Sequence, residues 1–213
     1  MSLEDAGSRH AGRLFGLAIL LAAGAAGWYF APGFRVAGQA VEQEFDLDAP
    51  VGGPFTLTGV DGQPVADTAF RGTYMLIVFG YTFCPDICPI SLLTVGRALD
   101  DIAKDNPERA ASVAPVFISL DPERDTPEAV GRYLKSFSPR FTGLTGSPEE
   151  IRRVATAHGV RYVKVEDPTM NDYLVDHSIS ILLMDRQGAY ITNFSPRTPP
   201  YMLAEALSRY LRD

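Results

Sequence analysis

Two cysteines, Cys84 and Cys88, lie four positions apart within residues 80–89 (GYTFCPDICP), and the 213-residue chain has no others. An apolar run, residues 74–79, precedes them, and apolar residues at helical spacing follow. A sulfur between a strand and the start of a helix faces the free N–H groups and partial positive charge of the helix N-terminus, which lower the pKa of a thiol. The pair is therefore predicted to be reactive.

Two cysteines with this spacing could close a disulfide, attack a disulfide of another protein, or bind one metal ion together. Soft sulfur ligands favour Cu(I), Zn(II) and iron–sulfur clusters. A structural zinc site or a cluster normally takes four ligands, which two cysteines do not supply. The ligand supply therefore favours a copper ion of low coordination number, and thiol–disulfide exchange stays open as the alternative.

The three histidines differ in how well they could complete such a site. His10 precedes a long apolar segment, and His158 ends a predicted helix, where a surface or capping role is expected. His177 follows a polar loop, adjoins Asp176 and immediately precedes a buried strand. We expect His177 to lie at the same sheet edge as the cysteines if its strand runs parallel to the strand of residues 74–79.

The pattern of apolar and turn-forming residues predicts an α/β domain. An Asp61-Gly62 turn indicates an N-terminal β-hairpin over residues 55–65, and the uninterrupted apolar run at 74–79 indicates a strand buried on both faces. The further predicted segments are helices at 90–106, 126–137, 147–158 and 199–212, strands at 113–120 and 159–165, a polar loop at 166–176, and a hairpin at 180–194. This order predicts a thioredoxin-like three-layer α/β/α domain.

An uncharged segment of 21 residues, residues 14–34, is long enough to cross a ~30 Å hydrocarbon core at ~1.5 Å per residue. Arg9 and Arg13 precede it and acidic residues follow, so the positive-inside rule places the N-terminus in the cytoplasm. The alternative is a signal peptide cleaved at residues 23–25 (AGA), which exports the same domain. The predicted organisation is a cytoplasmic N-terminus (1–13), one transmembrane anchor (14–34), a linker (35–50) and an exported domain (51–213).

The charge of the chain argues against one class of partner. The formal net charge is −7, and no basic run appears. Because nucleic-acid binding depends on lysine and arginine side chains that neutralise phosphates, we expect no nucleic-acid partner.

Several motifs occur in order along the chain: residues 80–89 (GYTFCPDICP), 121–127 (DPERDTP), 144–146 (LTG) and 176–178 (DHS). In that order they resemble the Sco/SenC family of membrane-anchored, thioredoxin-fold proteins, and the similarity extends over about residues 52–211. The resemblance implies a copper chaperone that delivers copper to the CuA centre of cytochrome c oxidase.

The resemblance also implies a ligand set. Cys84 and Cys88 are expected to supply two sulfurs and His177 one nitrogen to a single copper ion, as Cu(I) or Cu(II). In an alternative redox state the two cysteines would form a disulfide. Three aspartates in or beside the motifs are candidates for supporting the ligands or docking a partner: Asp86, Asp121 and Asp176. For Asp86 and Asp121, a helix cap or a solvated turn is the competing interpretation, and Asp176 could orient His177 or merely face water.

The implied partners are the oxidase subunit that carries CuA and, as further candidates, another copper chaperone or a thiol reductase. The implied location is the bacterial inner membrane, crossed once, with the domain in the periplasm. A thiol-disulfide oxidoreductase remains the alternative function, because a reactive pair also suits exchange. Thioredoxin-type reductases carry Cys-x-x-Cys and a facing cis-proline, whereas here no proline occurs between Pro168 and Pro196, and His177 lies in that stretch. This difference favours metal transfer.

Overall fold

A computed structural model describes residues 51–138, 140–166 and 172–211. The strands are β1 (Thr56–Gly59), β2 (Pro64–Ala66), β3 (Tyr74–Gly80), β4 (Val113–Ser119), β5 (Thr142–Thr145), β6 (Tyr162–Glu166), β7 (Tyr173–His177), β8 (Ile181–Met184) and β9 (Tyr190–Phe194). The helices are α1 (Ile87–Asp105), α2 (Pro107–Ala111), α3 (Pro127–Leu134), α4 (Pro148–Ala157) and α5 (Pro200–Tyr210), and a 3-10 turn covers Asp67–Phe70.

Seven strands form one mixed sheet in the order β2-β1-β5-β4-β3-β8-β9. Strands β3, β4 and β5 are parallel, whereas β8 pairs antiparallel with β3 and β1 pairs antiparallel with β5. The β1–β2 and β8–β9 hairpins, both predicted, form the two edges of this sheet. Strands β6 and β7 form a separate two-stranded antiparallel sheet.

Strand β3 lies in the middle of the sheet, and all seven of its residues are buried. Leu76 and Val78 pack among the helices of one face, and Ile77 and Phe79 pack among the residues of the other. Apolar contacts on both faces explain why the sequence of β3 shows no polar alternation. The prediction of a strand buried on both faces is therefore confirmed.

Helices cover both faces of the sheet. Helices α1, α3 and α5 pack on one face, where Leu92, Val130 and Leu203 are fully buried. Helix α4 covers the other face with Ile151. Its start is set by a capping box, in which Ser147 and Glu150 satisfy each other's backbone N–H groups. The described residues thus form the predicted α/β/α layers.

The polar loop predicted at residues 166–176 is partly wrong, because its end forms strand β7. Tyr173 to His177 pair antiparallel with β6, and the register partners include Tyr162 with His177 and Glu166 with Tyr173. Four of the five residues of β6 are exposed. Only three consecutive apolar residues, 173–175, mark β7, and polar residues on both sides of them hide this short run.

Of the surface or capping role expected for His158, capping is confirmed, because His158 occupies the C-cap position of α4, and the surface position is wrong. His158 follows the last residue of α4, as expected, but it is only 2% exposed. Its Nδ1 donates a hydrogen bond to the carbonyl oxygen of Val154 at 2.8 Å, and its ring lies against Phe55 and Phe79. Burial lowers the pKa of His158, so it serves as an uncharged core residue.

The predicted segments 1–13, 14–34 and 35–50 lie outside the described residues. Within the three described ranges, no helix combines the length and the apolar character that a membrane crossing requires. The transmembrane anchor therefore stays a prediction from the sequence.

Gly80, the last residue of β3, leaves space for a cysteine. A Cβ atom at this position would lie 2.7 Å from the Cys88 sulfur and 3.1 Å from Cε2 of Phe117. We expect Gly80→Ala to lower the free energy of unfolding by about 1–3 kcal/mol, because the side chain would overpack a filled core. Urea unfolding of both proteins measures the difference.

Gly96, in helix α1, provides the matched control, because a Cβ there would meet only Cβ of Ser138 at 3.8 Å. Gly96→Ala is expected to leave the stability unchanged or to raise it by about 0.5–1 kcal/mol, since alanine favours the helix. Equal effects of the two substitutions would contradict the tight packing between Gly80 and Cys88.

Candidate metal centre

The two cysteines lie where strand β3 passes into helix α1. Cys84 precedes the helix by three residues, and Cys88 is in its first turn. Strand β8 starts at the same end of β3, because the two strands are antiparallel and Val78 pairs with Ile181. The expectation from the sequence that the strand after His177 runs parallel to β3 is therefore wrong. The antiparallel direction of β8 is what brings His177 to the cysteines.

Three possible ligand atoms come together at this edge. The Cys88 sulfur lies 3.8 Å from Nε2 of His177, and the backbone N–H of Cys88 donates to the Cys84 sulfur at 3.4 Å. Both cysteines are free thiols, not joined in a disulfide, and both are buried, with 8% of Cys84 and 1% of Cys88 exposed. In the part of the chain that the structure describes, no three His, Cys, Asp or Glu side chains already have the arrangement of a metal site. The three candidates therefore form an open set, joined by pairwise contacts.

The two cysteines share one proton unequally. The pKa of Cys84 is lowered to about 4, chiefly by a hydrogen bond from Cys88, with smaller effects of His177 and of the backbone at Cys88 and Asp86 that together outweigh burial. The pKa of Cys88 is raised, because that hydrogen bond holds its proton and because the residue is buried. Cys84 is therefore the thiolate of the reduced pair and Cys88 the thiol.

The ring of His177 is oriented by its own backbone neighbour. Nδ1 lies 2.9 Å from the carbonyl oxygen of Ser178. A carbonyl oxygen only accepts hydrogen bonds, so Nδ1 carries a hydrogen, and Nε2 is the ring nitrogen that faces the Cys88 sulfur. The ring of Tyr81 packs edge-on against the imidazole, with 6.3 Å between ring centroids. An imidazole fixed in this way is typical of metal-ligating histidines.

Two of the three candidate aspartates are exposed at the rim. Asp86 occupies the N-cap position of α1, but its side chain makes no capping hydrogen bond. Asp176 pairs in register with Val163, and its side chain is exposed on β7. The carbonyl of Ser178, and not Asp176, contacts the His177 ring. Supporting roles of these two aspartates stay predictions.

Asp121 is different, because it is fully buried. It forms an ion pair with Arg124 and accepts a hydrogen bond from the Tyr173 hydroxyl at 2.6 Å. Tyr173 begins strand β7, which ends at His177. Asp121 thus contacts the strand that carries the histidine, and no hydrogen bond within the described residues links it to the cysteines or to the His177 ring.

Sequence reasoning missed two neighbours of Asp121 in the same motif. Asp125 is fully buried and accepts hydrogen bonds from the backbone N–H and hydroxyl of Thr82, at 2.9 and 2.6 Å, and from the hydroxyl of Ser119 at 2.6 Å. It holds the segment just before Cys84. The guanidinium of Arg124 lies over the Tyr173 ring, 3.7 Å from its centroid. A run of charged residues directly after a buried strand was the available signal.

A groove of about 650 Å³ opens beside the site. Its walls are mainly apolar and include Ile87, Val165, Leu174, Ile179 and Pro196. Cys84, Asp86, Asp176 and His177 also line it. The Cys84 sulfur and the histidine are therefore reachable from outside, although little of Cys84 is exposed.

A model of the family described as SCO1/SenC matches residues 43–212. The chain belongs to the SCO1/SenC family. The mitochondrial SCO1 homolog 1 of Arabidopsis thaliana is 41% identical over 164 residues, which are 77% of this chain and 48% of that protein. This family member thus spans about half the length of that relative.

Solved Sco structures have the same fold. The crystal structure of Arabidopsis thaliana ScoI with copper bound has a TM-score of 0.70 and 41% identity, covering 75% of this chain and 96% of that one. The structure of Bradyrhizobium japonicum ScoI with copper bound has a TM-score of 0.68 and 44% identity, covering 76% and 99%. The predicted thioredoxin-like α/β fold of this SCO1/SenC protein is confirmed.

We expect Cys84 to react with iodoacetamide at a rate that falls little as the pH is lowered from about 8 to about 5. The folded pKa lies below that of an ordinary thiol, about 8.5, so the thiolate persists until the pH approaches about 4. Peptide mapping after timed alkylation measures the rate at each cysteine. A rate that drops about tenfold per pH unit over this range would show an ordinary thiol.

Two substitutions at Cys88 test the cause of this low pKa. Cys88→Ala removes the hydrogen-bond donor and should move the pKa of Cys84 back toward the ordinary value. Cys88→Ser keeps a hydroxyl donor and should move the pKa less. A Cys84 pKa that stays near 4 in both variants would show that the hydrogen bond from Cys88 is not its cause.

Proposed function

We propose that this chain is a copper chaperone that binds one copper ion through Cys84, Cys88 and His177 and delivers it to the CuA site of cytochrome c oxidase. The observation that carries the proposal is the meeting of two sulfurs and an oriented imidazole at one sheet edge, with 3.8 Å between the Cys88 sulfur and Nε2 of His177. Copper as cargo needs a site that can both bind and release it.

The chemistry of these ligands fits copper in both oxidation states. Thiolates are soft ligands that select Cu(I), and imidazole is a common ligand of Cu(II). The Cys84 sulfur is already ionised near neutral pH, so binding a cation there displaces no proton from it. Three ligands beside an open groove leave room for the ligands of a receiving protein to approach the ion.

The relatives support copper as the cargo. Two Sco structures, 41% and 44% identical to this chain, have copper bound. Both cover about three quarters of this chain, and the family model matches residues 43–212, which include the two cysteines and the histidine. The client, an oxidase subunit with a CuA site, and further partners such as a second copper chaperone or a thiol reductase are inferred from the family resemblance.

Thiol-disulfide exchange is the second candidate function, and one observation favours it. The Cys84 thiolate is the form of cysteine that attacks disulfides, and a buried Cys88 thiol lies beside it to resolve a mixed disulfide. The exchange would oxidise Cys84 and Cys88 to a disulfide and reduce a partner's disulfide to two thiols. Such a step could prepare the client cysteines for copper, so the two functions are compatible.

Copper titration of the reduced full chain in detergent tests the proposed ligand set. We expect one equivalent of Cu(I) and one of Cu(II) to bind. Cys84→Ser and Cys88→Ser should bind neither tightly, and His177→Ala should bind Cu(II) at least about 100-fold more weakly, since loss of a ligand costs at least as much as loss of its supporting group. Competition with chelators of known affinity measures each constant.

Glu205→Gln serves as the control, because Glu205 is exposed on helix α5 and forms a surface ion pair with Arg209. It should bind copper as the unaltered chain does. Unchanged Cu(II) affinity in His177→Ala would exclude the three-ligand site. Rapid reduction of a model disulfide by a chain without measurable copper affinity would instead support the oxidoreductase.

We further propose that residues 14–34 anchor the protein in the bacterial inner membrane, with the domain in the periplasm. The support is the uncharged length of this segment and the arginines before it. In bacterial cells we expect the full chain to stay with membranes after an alkaline carbonate wash, and protease added to spheroplasts should digest the domain. A water-soluble periplasmic product that begins near residue 26 would support the cleaved signal peptide.

A further inference from the structure

The strand that carries His177 stands outside the main sheet. β7 pairs only with β6 among the described strands, and neither belongs to the seven-stranded sheet. The ladder between β3 and β8 brings the chain after His177 to the cysteine end, but His177 itself lies outside that ladder. Val175 of β7 packs in the core, and side-chain contacts between the β6–β7 hairpin and the rest of the domain further restrict the position of the histidine.

Arg124 makes several such contacts. Its guanidinium pairs with Asp121 beside it and reaches Asp172 at 3.0 Å and the carbonyl oxygen of Tyr173 at 2.9 Å. It also lies flat against the Tyr173 ring, 3.7 Å from the centroid. The Arg124 side chain is only 14% exposed and Asp121 is buried, so water weakens that ion pair little, whereas Asp172 is 46% exposed. Arg124 therefore fastens the first residues of β7 to the turn after β4.

The same turn is fastened to the cysteines. Asp125, the next residue, accepts hydrogen bonds from the backbone N–H and the hydroxyl of Thr82. Thr82 lies two positions before Cys84. The guanidinium of Arg124 also lies 5.0 Å from the ring centroid of Phe83. One short turn thus contacts the cysteine segment at one side and the histidine strand at the other.

We propose that Arg124 is the positioning residue of the copper site: by clamping β7 to the turn that also holds the cysteine segment, it keeps His177 at ligand distance from Cys84 and Cys88. This inference rests on the proposed three-ligand site. A planar guanidinium with five donors can bind a carboxylate, a carbonyl and an aromatic face together, whereas the single ammonium of lysine cannot.

The proposal predicts different effects on the affinities for Cu(I) and Cu(II). Two thiolates are sufficient soft ligands for Cu(I), whereas Cu(II) depends more on the imidazole. Loosening β7 should therefore weaken Cu(II) binding more than Cu(I) binding. A residue needed only for folding would lower both affinities together with the stability.

The test uses the reduced full chain in detergent, with Cu(I) and Cu(II) as probes. Arg124→Gln should lower the Cu(II) affinity about 10- to 100-fold, the range for groups that orient a metal ligand, and should weaken nitrogen coupling in the electron paramagnetic resonance spectrum of bound Cu(II). Cu(I) affinity should change by less than about threefold. Arg124→Lys should lower the Cu(II) affinity about as much as Arg124→Gln, because the charge of lysine does not replace the several planar donors of a guanidinium. Arg209→Gln, in an exposed ion pair on α5, is the matched control.

A double-mutant cycle with His177→Ala separates positioning from other effects. If Arg124 acts through His177, then Arg124→Gln has no further effect on Cu(II) affinity once the histidine is absent. Additive losses, or equal losses of Cu(I) and Cu(II) affinity, would overturn the positioning role. Should Arg124→Gln fail to fold, the same double-mutant cycle is measured with Arg124→Lys. A cycle with Tyr173→Phe, which removes the hydroxyl bonded to Asp121, then tests the other contact between β7 and this turn.

The measurements distinguish a failure of the three-ligand site from a failure of the positioning role of Arg124. If His177→Ala leaves Cu(II) affinity unchanged, the three-ligand site itself is wrong. If His177→Ala weakens Cu(II) binding and neither Arg124 variant does, the site stands and the positioning role is wrong.

Discussion

Burial of strand β3 on both faces is the constraint on which the rest of the molecule depends. Its seven residues are buried, and it pairs in parallel with β4 and antiparallel with β8. The end of β3 therefore meets three chain segments: the cysteine segment that follows it, the turn after β4 and the start of β8. Each of these segments supplies one part of the site, namely the sulfurs, the charged turn and the residues next to His177.

The cysteine pair is prepared for two kinds of chemistry by one arrangement. A hydrogen bond from Cys88 keeps the Cys84 sulfur ionised, and Gly80 leaves the space that Cys88 occupies. An ionised sulfur beside a thiol suits both metal binding and disulfide exchange. The nearby imidazole is the feature that favours metal, because its free nitrogen faces the sulfurs and its other nitrogen is held by a carbonyl.

The two halves of the site differ in how firmly the fold holds them. The cysteines lie between the central strand and the first turn of the longest described helix, α1. His177 lies on a two-stranded hairpin whose outer strand is mostly exposed. The proposed release of copper would require His177 to move away from the ion, and β7 carries it outside the main sheet, although Val175 of that strand packs in the core. The charged turn at Asp121, Arg124 and Asp125 connects the two halves.

By itself, the sequence determined the features that depend on neighbouring residues. The central strand, the starts of the helices at Thr126 and Ser147, both hairpins of the main sheet and the cysteine pair were predicted from local patterns, because periodicity and capping act over a few residues. Family resemblance added His177 as a ligand. The resemblance also made Asp121 a candidate, but it did not predict the contacts of Asp121 with Arg124 and Tyr173.

Only the tertiary structure decided how distant segments meet. It showed that β8 runs antiparallel to β3, that β7 exists, that His158 is buried, and that Arg124 and Asp125 bridge the cysteine segment and the histidine strand. It also decided which cysteine holds the proton. Apart from the β6–β7 pairing and the contact between the two cysteines, these features arise from contacts between residues about 40 to 110 positions apart. The energies of such contacts depend on burial and direction in the folded chain and leave no periodic signal in the sequence.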